Sequence, residues 1–130
     1  ALHALDELSA GRTLDVSAMH PALQSLFNPA VQPFLIDMFT YDPATLAATT
    51  TLPILIVQGG KDIQVSMVDA DALAAGQPKA VKTVLPDMTH VLKDVAGDDR
   101  AANMASYSDP SLPITPGLVE AIAGFVKHDD

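Results

Sequence analysis

With 130 residues, 48% of them apolar, the chain is long enough for one domain with a real core but short for two. A formal charge of -9 at pH 7 argues against nucleic acid or an anionic membrane surface as a partner, since both are polyanions that repel an acidic protein. Cysteine is absent, which excludes a disulfide framework, a thiolate nucleophile and a sulfur-ligated zinc, and no apolar run approaches the roughly 20 residues of a bilayer span. The opening "ALHALDELSAG" lacks the charged and long apolar regions of a signal peptide, and the compartment is not readable.

The first fifty residues read as helical. Leu2, Leu5 and Leu8 suggest a helix that stops at Gly11, and "HPALQSLF" a shorter one starting at Pro21. In "NPAVQPFLIDMFTYDP", Val31, Phe34, Leu35, Met38 and Phe39 fall at helical spacing on one face, with Asn28 as N-cap and Pro29 in the first position. Phe34, Met38 and Phe39 are expected to pack inward.

From residue 51 the period changes, and residues 51–130 read as an α/β unit. "ILIV" (54–57), between Pro53 and Gly59, has the continuous aliphatic pattern of a strand covered on both faces. "SMVDADALAAG" supplies the following helix: Ser66 and Asp69 form a capping-box start, and Gly76 suits the C′ position. "AVKTVL" (80–85) is a second strand, completing a parallel βαβ unit with flanking helices. Residues 93–115 are polar, acidic and proline-bearing and read as a long loop. "TPGLVEAIAGFVK" closes the chain as a helix capped by Thr115, begun by Pro116, with Leu118, Val119, Ile122, Phe125 and Val126 on one apolar face.

In open α/β sheets, ligands bind at the carboxyl ends of parallel strands. Asp62 in "PILIVQGGKDIQV" lies just past one such end, and His90 in "LPDMTHVLK" just past the other. On neighbouring strands they stand about one strand spacing apart, roughly 5 Å, near enough to pair. A carboxylate on one imidazole nitrogen fixes the tautomer and leaves the other nitrogen free as a base.

The order strand, "GGKD", helix, strand, "TH", final helix resembles the C-terminal part of an α/β-hydrolase, whose catalytic residues run Ser, then Asp or Glu, then His. "HVLK" and "YSDPSLP" resemble segments of a bacterial branch of serine hydrolases that includes esterases, lipases and peptidases. The resemblance is clear over residues 51 to 92 and 112 to 127 and much looser over the first fifty, where it implies a helical cap-like segment or the helix leading into the sheet, and a face of Phe34, Met38 and Phe39 that lines an acyl pocket. It implies hydrolysis of a small-molecule carboxylic ester or amide, with Asp62 as the acid and His90 as the general base. No cofactor and no metal are expected. The family's nucleophile elbow, G-x-S-x-G, does not occur in this chain. The resemblance therefore implies that an N-terminal half supplies the serine.

Other residues carry plainer readings. Ser9, in "LSAG", reads as a helix end, and Ser66 as a cap. Asp87 fits a turn before the histidine better than a partner for it. His3, His20 and His128 show no metal-ligand spacing with one another or with His90. Lys93, Asp94, Asp98, Asp99 and Asp109 read as solvated. Two parallel strands alone bury too little, so a homodimer mate or the N-terminal half is expected to cover them. The alternative function is a non-catalytic, oligomerising binding module that retains the Asp62/His90 pair as a remnant.

Overall fold

The structure is a computed structural model that describes residues 1–128. The chain divides into two compact units, Ala1–Thr45 and Leu46 onward, each of which is described by itself.

The first unit holds α1 (Leu2–Ser9), α2 (Pro21–Leu26) and α3 (Gln32–Met38). After α1, Gly11 takes a left-handed φ of 77°, which lets its own N–H reach Leu8 and that of Arg12 reach Glu7, closing the helix. Pro21 begins α2, where the His20 ring accepts the Ala22 N–H at 3.3 Å. α3 departs from expectation. It begins at Gln32 and not at Pro29: Asn28 accepts the Ala30 N–H on its side chain at 2.9 Å and those of Val31 and Gln32 on its carbonyl, but residues 29–31 form a turn ahead of the helix.

Its inward face differs too. Ala4, Leu8, Val16 and Phe27 form the core of this unit, with Leu35, Ile36 and Phe39 packed against it. Phe34 and Met38 point outward, against the expectation that they pack. The cause is Gln32, buried at 1% exposure, whose side-chain amide bonds both the N–H and C=O of Leu14 and the C=O of Phe27. Placing this polar residue inside turns the buried face to 32, 35, 36 and 39, one position from the purely apolar set.

The second unit begins within α4 (Pro43–Thr49), a helix not anticipated, which straddles the division between units. There follow β1 (Leu55–Gly59), α5 (Met67–Gly76), β2 (Val81–Leu85), α6 (Arg100–Ser106) and α7 (Pro116–His128). β1 and β2 pair in parallel, Leu55 opposite Val81 and Gly59 opposite Leu85. This is α/β architecture around a two-stranded parallel sheet. Ile56, Ala70, Met88, Val95 and Leu118 are its buried apolar residues.

Residues 93–115 are not one long loop. Asp99 accepts the N–H groups of Ala101 and Ala102 and so starts α6 in their midst. α7 forms as expected but buries only part of its apolar face. Leu118 is inside, whereas Val119, Ile122 and Val126 are 62%, 48% and 62% exposed. Among the described residues no helix is long and apolar enough to cross a membrane.

Candidate active site

The chain leaves β1 through Gly59 and Gly60, and a side chain at either would collide with the chain leaving β2. A Cβ on Gly59 would overlap the carbonyl oxygen of Met88, and one on Gly60 that of Pro86. Without those carbons the two exits lie against one another, joined by Gly60 N–H to Leu85 C=O at 2.8 Å and Lys61 N–H to Met88 C=O at 3.0 Å. Gln58, 6% exposed, bonds the carbonyls of Gly59 and Val65, both at 3.1 Å, and so clamps the two ends of the acid-bearing loop.

That loop wraps its own carboxylate. Asp62 Oδ1 accepts the N–H groups of Gln64 at 2.8 Å and Val65 at 2.9 Å, and Oδ2 lies 3.0 Å from His90 Nδ1. The Asp62 side chain is 9% exposed and that of His90 38%, so the acid is inside and the base is at the surface. Burial alone pushes the Asp62 carboxyl up. The Val65 and Gln64 N–H groups and the His90 ring together outweigh it and hold the carboxyl below its ordinary range.

His90 sits at the tip of a tight hairpin. Thr89 N–H donates to Lys93 C=O at 2.9 Å, Leu92 N–H to Thr89 C=O at 3.0 Å, and Val95 N–H to Asp87 C=O at 3.0 Å. Leu92 closes the turn at φ 63°, a conformation that is costly for a branched side chain and persists because its neighbours hold it. Its carbonyl accepts the Thr115 N–H at 2.8 Å, while the Thr115 hydroxyl reaches Asp94 at 2.6 Å. Thr115 and Asp94 thus brace the histidine hairpin, and Asp94 is not simply solvated. Nor is Lys93, whose ammonium donates to the carbonyls of Ser106 at 3.1 Å and Asp109 at 2.5 Å.

The two residues expected to pair are therefore brought together, with Nε2 of the imidazole left for a reacting group. Asp62 and His90 border a cleft of about 250 Å³ whose apolar wall includes Val57, Val65, Met88 and Leu92. Asp87 lies in the turn after β2, and its backbone carbonyl is what it contributes. Ser66 gives its hydroxyl to Asp69 at the start of α5, and Ser9 ends α1 in the other unit. Asp98 pairs with Lys61, Asp99 starts α6 and Asp109 accepts from Ser111. His3 lies on α1 and His20 caps α2, and among the described residues no group of three or more His, Asp or Glu is placed to hold a metal ion. The side chain of His128 lies outside the described residues.

The motifs give no role to Gln58 or to the α6 residues Asn103 and Ser106, and Lys93, expected to be solvated, instead holds the end of α6. A signal for α6 was present, in Asp99 ahead of the alanine-rich "RAANMAS".

A carboxyl held below its unfolded pKa stabilises the fold fully above the ordinary carboxylate range, about pH 4 to 5, and loses that contribution as the pH falls through the folded value. Asp62→Asn is expected to lower stability near neutrality by about 1–3 kcal/mol, the scale of hydrogen bonds to a charged group. The gap should close in acid. Urea unfolding of both proteins from pH 7 to 2 measures it, and a gap independent of pH would contradict this electrostatic account.

Comparison with protein-family models, curated proteins and solved structures gives no match for this chain.

Proposed function

We propose that this chain supplies the acid and the general base of a serine hydrolase acting on small-molecule carboxylic esters or amides, in an α/β-hydrolase arrangement. The nucleophile comes from polypeptide outside these 130 residues. The observation that carries the reading is the 3.0 Å approach of His90 Nδ1 to Asp62 Oδ2 at the carboxyl ends of two adjacent parallel strands. Asp62 accepts a hydrogen bond from Nδ1–H and so directs the Nε2 lone pair outward. In the complete site, Nε2 takes the serine proton as the hydroxyl attacks the carbonyl, then returns it to the departing alcohol or amine. Asp62 stays ionised throughout and stabilises the imidazolium between those steps. Its three hydrogen-bond donors suit that task. The resemblance of "GGKD" and "TH" to the family's acid and histidine segments supports the same roles.

A second reading, a non-catalytic oligomerising module, is favoured by a separate observation. Val119, Ile122 and Val126 of α7 and Val81 and Val84 of β2 are exposed, and among the described residues no further strand pairs with either edge of the two-stranded sheet. A homodimer covering these surfaces would satisfy them without any chemistry.

The chain alone is expected to show no His90-dependent hydrolysis of a short-chain chromogenic ester. Adding a nucleophile-bearing N-terminal half in trans should restore turnover, which Asp62→Asn should then reduce about 10⁴-fold in kcat. Halves that fold and associate yet hydrolyse nothing would remove the hydrolase reading. For the second reading, light scattering should give a particle larger than the 13.6 kDa monomer, reduced to monomer by Val119→Asp with Ile122→Asp. A wild-type monomer with a sharp unfolding transition would contradict it.

A further inference from the structure

α6 reaches the residue immediately before each member of the Asp62–His90 pair. Asn103, 4% exposed, donates from Nδ2 to the Lys61 carbonyl oxygen at 2.6 Å. The N–H of the same Lys61–Asp62 peptide donates to Gly59 C=O at 3.3 Å. The peptide plane that aims Asp62 is thus held from both sides. One turn further along α6, the fully buried Ser106 donates its hydroxyl to Asn103 C=O at 2.7 Å and packs it 3.4 Å from that of Thr89, the residue before His90, which itself donates to Lys93 C=O at 3.0 Å. Lys93 binds the Ser106 and Asp109 carbonyls at the end of the helix, and Gln64 donates to the hydroxyl of Tyr107, the residue after it, at 2.8 Å. The acid loop and the histidine hairpin therefore share one support.

Asn103 carries a further mark. Its Oδ1 is buried without a hydrogen-bond partner. Buried polar atoms are nearly always paired, and a leucine of similar volume would bring no unpaired acceptor of its own, at the cost of leaving the Lys61 carbonyl without its donor. A residue selected only for packing has no reason to be an amide here. The Nδ2 bond to Lys61 C=O is what the amide supplies.

We infer that α6 is the spacer that sets the separation of Asp62 and His90, with Asn103 as the positioning residue on the acid side and Ser106 on the base side. This rests on the pair alone and not on the hydrolase reading, so failure of ester hydrolysis leaves it standing. Neither residue touches a reacting atom. Each acts through the backbone or side chain of the residue preceding the pair.

The test is the tautomer of neutral His90, read from the ¹⁵N shifts of its ring nitrogens well above the ordinary histidine titration range. Without a partner an imidazole favours the proton on Nε2, and the bond to Asp62 draws it to Nδ1. Asp62→Ala defines the unpaired reference. Asn103→Leu is expected to lose at least half of the wild-type excess of the Nδ1–H form, and to change nothing further in the Asp62→Ala background. Ser106→Ala, which removes a single oxygen, is expected to shift the tautomer in the same direction and decides the matter if Asn103→Leu does not fold. A wild-type Nδ1–H fraction in the folded variants overturns the inference. So does an equal loss in both backgrounds, which would mark a merely structural role, and so does identity of wild type with Asp62→Ala, which would leave no pair to position.

Discussion

The hydrogen bond from Lys61 N–H to Met88 C=O joins the chain just past β1 to the chain just past β2. It can form because Gly59 and Gly60 present no Cβ to the carbonyls of Met88 and Pro86. Parallel register brings Gly59 opposite Leu85, and the two exits then advance together. One residue beyond Lys61 stands Asp62, and two beyond Met88 stands His90. Their contact requires this close approach of the two strand ends, within which α6 sets their separation. An alanine at position 59 would force those exits apart before any property of the acid or the base came into question.

Once the exits are joined, electrostatics decides what the site can do. A carboxylate 9% exposed needs compensation, and Asp62 finds it in two backbone N–H groups and an imidazole. These fix its orientation and keep it ionised, which is the condition for directing a proton to Nδ1 of His90. The base remains at the surface with its second nitrogen open. The inward acid and outward base adjoin a small cleft, and the apolar α7 stripe and β2 residues are open to solvent.

The pair was legible because its signals are local. An aliphatic run, two glycines and a lone acid mark a strand end, and a second strand followed by a single histidine marks its neighbour. What supports the pair was not legible, since it depends on residues far apart in the chain. Asn103 lies 42 positions from Lys61, and Ser106 lies 17 from Thr89. The polar composition of residues 93–115 hid α6, because the helix is short and anchored by polar contacts where a periodic reading looks for an apolar face. In α3 the apolar spacing was compatible with two faces one position apart. Buried Gln32, which no hydropathy pattern would place inside, chose between them. In α7 the stripe was seen correctly as apolar, but only Leu118 of its expected face is fully covered within the described residues.

Central to the account is a hydrogen bond between His90 Nδ1 and Asp62, and the most direct measurement is the low-field proton spectrum of the chain at low temperature. A resonance correlated with His90 Nδ1 should be present, should vanish in Asp62→Ala and should persist in Asp87→Asn, the acid nearer in sequence. Its absence from the wild-type spectrum, or its loss with Asp87 and not with Asp62, would contradict the account.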